Sequence, residues 1–190
     1  MKKYLIIDTS TTDSAICLFL GKDTLTQKPL PQMNQTKEIV LIIKELLYAN
    51  NLTLQDLSAI AICTGPGLFT GTRVGVMTAK TLSYAKDIPL IPFSSFDLFG
   101  NRALYAALDA KCGRAHLYHD GKITLVSYDD LAAISEVIHV FDAAAFAHLP
   151  LETIVNKKDY KSLYYQLCHS VPKSHNDVIV NYDPIFKDIN

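Results

Sequence analysis

The chain has 190 residues, 49% of them hydrophobic and 19% charged, with 18 basic against 19 acidic side chains and a formal net charge of −1. Such a composition describes a globular protein with one large core or two small ones, and it excludes nucleic-acid binding driven by bulk charge. No apolar run reaches the ~18 residues of a spanning helix, and the apolar stretch at 4–7 is too short for a signal peptide, so neither secretion nor membrane spanning is expected.

Residues 4–7 read as an apolar strand, 8–14 as a polar turn, and 15–20 as a second strand. A third strand follows the Gly21-Lys22-Asp23 turn near 24–28, giving a β-meander. The spacing predicts a helix from Thr36, its cap, to Ala49, stopped by Asn50-Asn51. Ile39, Ile42, Ile43 and Leu46 form one stripe that seats it on a sheet, while Val40, Leu41 and Leu47 spread beyond that stripe. A helix this apolar has a neighbour on each side, either both within the chain or one in a partner subunit. One helical turn at 53–56 leads into a buried strand at 59–63.

The centre of the chain is Thr64-Gly65-Pro66-Gly67-Leu68-Phe69-Thr70-Gly71-Thr72-Arg73-Val74-Gly75. Gly65, Pro66 and Gly67 force a sharp corner between the strand and a helix running from Thr70 to Lys86. Helix N–H groups facing such a corner can hold an anion, and a bare packing corner fits equally. Val74, Met77, Leu82 and Ala85 give the helix an apolar side; Gly71, Gly75 and Thr78 or Ala79 give it a small-residue side. Glycine inside a helix costs about 1 kcal/mol relative to alanine, so close approach of another backbone is expected at Gly75.

A short strand at 88–92 and a helical stretch capped by Ser94 or Ser95 end near Gly100-Asn101. A second meander then opens: strand 103–108 closing at Asp109, strand 115–118, the hairpin signal Asp120-Gly121, and strand 123–126. Helical stretches are expected at 129–135, 142–148 and 159–169, with a strand at 137–140; the tail from 178 is poorly specified. Two halves that each open with a meander and turn to α/β indicate a duplicated domain, divided into residues 1–101 and 102–190.

Asp8, Thr9 and Ser10 close the first strand and Asp109 the corresponding strand of the second half. A carboxylate and hydroxyls at a strand end orient a metal or phosphate, or simply form a turn. The glycine corner lacks the GxxxxGK[ST] pattern, which excludes a P-loop nucleotidase. None of the six histidines forms an HExxH-type pair, there is no GxSxG elbow, and the four cysteines are widely spaced as in a reducing compartment. Lys157, Lys158 and Lys161 interleaved with Tyr160, Tyr164 and Tyr165 make either an RNA contact or an ordinary helix surface.

The opening Leu5-Ile6-Ile7-Asp8-Thr9-Ser10-Thr11, the block from Gly65 to Gly75, and Ala79-Lys80-Thr81-Leu82 through Ile88-Pro89-Leu90-Ile91 resemble the bacterial TsaB (YeaZ) family of tRNA threonylcarbamoyladenosine biosynthesis proteins. The likeness is strong over roughly 4–118 and weaker after. It implies a two-lobed RNase H-like (actin-like ATPase) α/β fold, with mixed sheets flanked by helices and a reduced second lobe. It also implies a cytoplasmic, non-catalytic subunit that binds no cofactor alone and carries no metal. Its partners would be a TsaD-like catalytic subunit, which transfers threonylcarbamoyl to N6 of adenosine 37 in ANN-decoding tRNAs, and a TsaE-like ATPase. ATP and metal would sit on those partners, tRNA would be met through the complex, and a homodimer would form when the partner is absent.

The partner interface implied is Ile39, Ile42, Ile43 and Leu46 of the first helix with Gly71, Gly75, Thr78 and Leu82 of the second. Asp8, Thr9 and Asp109 are the nucleotide candidates the superfamily suggests, and Gly65, Pro66 and Gly67 a structural corner. The sequence departs from the family at Leu68 (usually Ser), Arg114 (usually Glu) and Gln35 (often His), and has only Asp183-Pro184-Ile185-Phe186 for the family's terminal Pro-x-Tyr-Leu-Arg. The competing readings are a small ATPase or metallopeptidase-like hydrolase of the same superfamily, and a stand-alone interaction module.

Overall fold

A computed structural model describes residues 2–102 and 104–180; Asp183 to Phe186 lie outside these. The chain divides into two compact units, one running to Ser95 and taking back the stretch from Tyr164, the other Phe96–Leu163.

The first unit is one sheet built from β1 (Lys3–Asp8), β2 (Ala15–Leu20), β3 (Leu25–Pro29), β4 (Ala59–Cys63) and β5 (Leu90–Phe93), in the order β3-β2-β1-β4-β5. The meander β1-β2-β3 is antiparallel, and β4 and β5 run parallel to β1. Parallel neighbours need crossovers, which α1 (Gln35–Ala49) and α2 (Phe69–Lys86) supply. The central strands read as unbroken apolar runs because both faces are covered. Leu5, Ile7, Ile16, Leu18, Ile60 and Ile62 meet Ile39, Ile42, Ile43 and Leu46 of α1 and Val76 and Ala79 of α2 in one core. Tyr4 and Phe19 instead pack against Tyr164, edge-on and tilted, with ring centroids 5.7 and 4.9 Å away. After Tyr164 the chain stays on this unit: Lys173 bridges Leu90 on edge strand β5, and Val178, the first residue of the tail that the sequence left unspecified, is buried in the core.

The second unit repeats the plan. Its strands are β6 (Tyr105–Lys111), β7 (Arg114–His119), β8 (Lys122–Ser127), β9 (Ile138–Val140) and β10 (Thr153–Val155). Their order, β10-β9-β6-β7-β8, is that of the first sheet read from the other edge. Again the meander is antiparallel and the last two strands are parallel to its first. The copy is reduced in its crossovers: one is the single-turn helix α3 (Tyr128–Ala132), the other a 3-10 turn, Ala143–Phe146, where the sequence suggested helices over 129–135 and 142–148. The helix α4 (Tyr160–His169) follows.

Two smaller differences concern termini. Helix α1 starts at Gln35 behind Asn34, which is left-handed (φ 65) and makes no side-chain cap, so Thr36 is inside the helix. The segment Ser95–Arg102 is 3-10 rather than α and breaks at Gly100 (φ 69).

Candidate partner-binding face and the strand-end residues

The glycine block brings α2 down onto the end of β1. An ideal Cβ on Gly67 would lie 2.0 Å from the Ser10 carbonyl oxygen, on Gly71 2.2 Å from the Thr9 carbonyl oxygen, and on Gly75 2.2 Å from Thr9 Oγ1. Contact distances are about 3.5 Å, so a side chain at Gly67 or Gly71 would meet backbone that cannot yield, and one at Gly75 would require Thr9 to move. The corner is held from both sides: the Leu68 N–H donates to the Ser10 carbonyl (2.6 Å), the Ser95 N–H to that of Gly65 (3.2 Å), and the Ser95 hydroxyl to that of Pro66. Gly65 takes φ 96, which a Cβ disfavours. The chain's own backbone therefore occupies the space facing the corner.

This placement corrects the expected division of the two helices into inner and outer faces. Ile39, Ile42, Ile43 and Leu46 are buried in the first unit's core, and Gly71 and Gly75 face β1. The close approach that Gly75 permits is made by the chain's own sheet, because a parallel β-α-β crossover this tight leaves no room for a side chain between helix and strand. Exposed apolar side chains lie on the opposite side: Val40 (50% exposed) and Leu41 (53%) on α1, Met77 (62%) and Tyr84 (74%) on α2. Between the helices runs a groove of about 370 Å³ lined by Thr36, Val40, Val74, Met77, Thr78 and Leu82, among others. Thr78 and Leu82 are thus the two expected interface residues that reach it. Arg73 also lines it, its guanidinium 3.7 Å from the Phe69 ring centroid. On α1 the residues beyond the sheet-seating stripe divide: Val40 and Leu41 are exposed and Leu47 is buried, while Met77, expected on the apolar side of α2, is exposed.

The strand-end residues are engaged internally. Asp8 is fully buried, and its Oδ1 accepts from the Ser10 N–H (3.2 Å) and the Ser10 hydroxyl (2.8 Å). Thr9 is buried beside Gly75, and its hydroxyl, like that of Thr72, has no hydrogen-bond partner among the described residues. In the second unit Asp109 braces the β6–β7 hairpin, where Lys111, Cys112 and Gly113 are all left-handed (φ 66, 52 and 74). Its carboxylate accepts from the Lys111 N–H (2.7 Å), the Lys111 ammonium and the Tyr128 hydroxyl (2.9 Å). Burial pushes the Asp109 carboxyl up, but the Lys111 and Tyr128 hydrogen bonds outweigh it and hold the group below the usual carboxylate range. Burial, followed by the bond to Asp109, pushes the Tyr128 phenol up to about 12.

Among the described residues no cluster of three His, Cys, Asp or Glu side chains is placed to hold a metal, and no helix is long and apolar enough to cross a membrane. His116 is buried and His119 exposed, on opposite faces of β7 as their spacing requires. The tyrosines interleaved with the basic run are not a stacking platform: Tyr160 and Tyr164 are buried, and only Tyr165 is exposed, with Lys22 5.6 Å from its ring centroid.

The family model for TsaD, tRNA N6-adenosine threonylcarbamoyltransferase, matches residues 30–174. The tRNA threonylcarbamoyladenosine biosynthesis protein TsaB of Haemophilus influenzae is 33% identical over 120 residues, 59% of this chain and 51% of that protein. TsaB of Bacillus subtilis is 37% identical over 95 residues, 49% of this chain and 41% of that protein. These matches span about half the length of the curated relatives. A solved structure of YeaZ from Pseudomonas aeruginosa superposes with a TM-score of 0.75 at 18% identity, covering 95% of this chain and all of that one, and so shares the fold. With the paired sheets, the glycine block and the opening strand motif all in place, the chain belongs to the family described by the TsaD model and is homologous to its TsaB (YeaZ) members.

Proposed function

We propose that this chain is a non-catalytic partner subunit in tRNA threonylcarbamoyladenosine formation, docking through its α1–α2 face onto a TsaD-like catalytic subunit. The observation that carries this is the apolar groove with Val40 and Met77 in its walls and Leu41 exposed on the same helix, set on a unit whose strand-end carboxylate, Asp8, is buried and tied to Ser10. Exposed apolar patches on this scale mark association sites. A stable interface buries about 800 Å² on each side, so Leu41 and Tyr84, exposed beside the groove, would be drawn in. The catalytic subunit would supply metal and transfer chemistry, a TsaE-like ATPase would join the pair, and the same face would serve self-association when the partner is absent. tRNA adenosine 37 would be met within that assembly.

The test mixes this chain with a TsaD-like subunit, a TsaE-like ATPase, threonylcarbamoyl-adenylate and ANN-decoding tRNA, and follows transfer and complex mass together. The parent chain is expected to form a stoichiometric complex and to be required for transfer. Val40→Glu with Met77→Glu places two charges in the groove and is expected to abolish the complex while leaving the fold intact. Folded parent protein that forms no complex and leaves transfer unchanged would overturn the proposal.

A further inference from the structure

Each sheet has two outer strands, and most of these edges are guarded against further pairing. Strand β3 ends in Pro29, and its Lys28 is held by Glu45 (2.6 Å). Strand β5 is bridged by Lys173, which exchanges backbone hydrogen bonds with Leu90 (3.0 and 2.6 Å). Strand β10 is only 3 residues long. Strand β8 is different. All 6 of its residues, Lys122–Ser127, pair with β7 without a bulge, and among the described residues nothing pairs with its other side. It has no proline, and its one charge is Lys122 at the first position. Such an edge is a template for another strand.

The turn before β8 fixes which backbone groups are free. Asp120 and Gly121 are both left-handed (φ 49 and 76), the two-residue connection that makes His119 and Lys122 a hydrogen-bonded pair. Bonded and non-bonded pairs alternate along an antiparallel ladder. Lys122, Thr124 and Val126 therefore bond to β7, and the Tyr128 N–H continues the series to the Gly113 carbonyl (2.9 Å). Ile123, Leu125 and Ser127 turn their backbone groups outward. Ser127 is engaged at the start of α3, its N–H facing the Asp130 carboxylate (3.4 Å), which leaves Ile123 and Leu125. An antiparallel second copy satisfies both in a single register, with Ile123 opposite Leu125, Leu125 opposite Ile123, and Thr124 opposite itself on the two-fold axis.

The side chains fit the same register. Ile123 (44% exposed) and the half-buried Leu125 share one face of the strand, so apolar meets apolar on either side of the axis. The strand opens with Lys122 and runs into Asp129 and Asp130 of α3, all exposed, so the basic end of each copy comes beside the acidic end of the other. We infer that β8 is a self-association edge, where a second copy of this chain adds its own β8 and continues the second unit's sheet. The pattern is self-complementary, as a two-fold interface requires. A pair of strands this short covers less than the about 800 Å² per side of a standard interface, so association is weak and concentration-dependent. The edge shares no residue with the α1–α2 groove, so the two surfaces can be tested apart.

The test is analytical ultracentrifugation of the full chain carrying Val40→Glu and Met77→Glu, so that self-association through the groove does not contribute. A monomer–dimer equilibrium is expected, and the Ile123 and Leu125 amides should exchange with solvent more slowly as dimer accumulates. Thr124→Lys sets like charges face to face on the axis, and Thr124→Glu does so with the opposite sign. Each alone is expected to weaken dimerisation by about fivefold or more. Mixing the two variants equally replaces repulsion by attraction and should restore dimer to about the level of the unsubstituted edge. Gln27→Lys on β3, also exposed, should stay within about twofold. Circular dichroism on each variant establishes the fold. A folded chain that is monomeric throughout, a dimer indifferent to Thr124→Lys, or a mixture that stays monomeric would overturn the inference. So would a folded monomer that captures an extended apolar peptide at Ile123 and Leu125, since the edge would then serve a peptide and not a second copy.

Discussion

Gly71→Ala adds one methyl group to α2 where the Cβ would stand 2.2 Å from the Thr9 carbonyl oxygen. Contact requires about 3.5 Å, so helix and strand must part by about 1 Å. The oxygen belongs to backbone immediately after β1, a strand paired on both sides, and cannot turn away. Alanine gains about 1 kcal/mol over glycine inside a helix. Overpacking costs about 1–3 kcal/mol, and the immobile neighbour puts this site at the upper end. The net expectation is a loss of about 1–2 kcal/mol. Gly75→Ala meets Thr9 Oγ1 at 2.2 Å, with Ile62 and Ile7 at 3.4 Å. Oγ1 can shift by a change of the Thr9 χ1 angle, which backbone cannot match, so the loss should be smaller, about 0–1 kcal/mol. Urea denaturation at unchanged m-value measures both. Gly71→Ala as stable as the parent, or Gly75→Ala the more damaging of the two, would refute the account of the glycine block as a seat for the helix on the sheet.

Leu46→Ala empties a fully buried position in the first unit's core and should cost about 2–5 kcal/mol in the same assay. Val40→Glu with Met77→Glu, by contrast, should leave stability within about 0.5 kcal/mol of the parent because both side chains already face solvent; a larger loss would mean that the groove is part of the fold. Asp109 gives a pH test. Its folded pKa lies below the unfolded value, so the ionised carboxylate stabilises the second unit above the ordinary carboxylate range, and that stabilisation is lost as the pH falls through the folded value. The urea midpoint of the parent should therefore drop more steeply on acidification than that of Asp109→Asn, and parallel curves would remove Asp109 as a brace of the hairpin.

Much of the fold was legible because its signals are local. The alternation and turn residues of both meanders, and the strand–corner–helix run from Ala59 to Lys86, are written in neighbouring positions. The shortfalls sit where position depends on distant residues. Ala143-Ala144-Ala145 has helix-forming composition, but with no long apolar stripe to seat it forms only a 3-10 turn. Strand β10 spans Thr153–Val155 and exposes Ile154 and Val155, so neither length nor alternation announces it; its parallel pairing with β9 makes it a strand. The interface was half legible for a similar reason. A stripe of small residues such as Gly71 and Gly75 admits a partner's helix or the chain's own sheet equally well, and only the position of Thr9 decides between them. The surplus on the first helix carried the same ambiguity: of Val40, Leu41 and Leu47, the first two are exposed and Leu47 is buried in the chain's own core.

The return of the chain to its first unit has a consequence for biogenesis. Tyr164 covers Tyr4 and Phe19, Lys173 bridges the edge strand β5, and Val178 sits in the core beneath α2, where the Lys80 ammonium donates to its carbonyl (3.0 Å). On the ribosome these residues emerge only after the whole of Phe96–Leu163. The second unit has every strand of its sheet before then and can fold during synthesis. Until then the first unit has a sheet face and a strand edge still uncovered, the kind of surface that makes a partly made chain prone to aggregate.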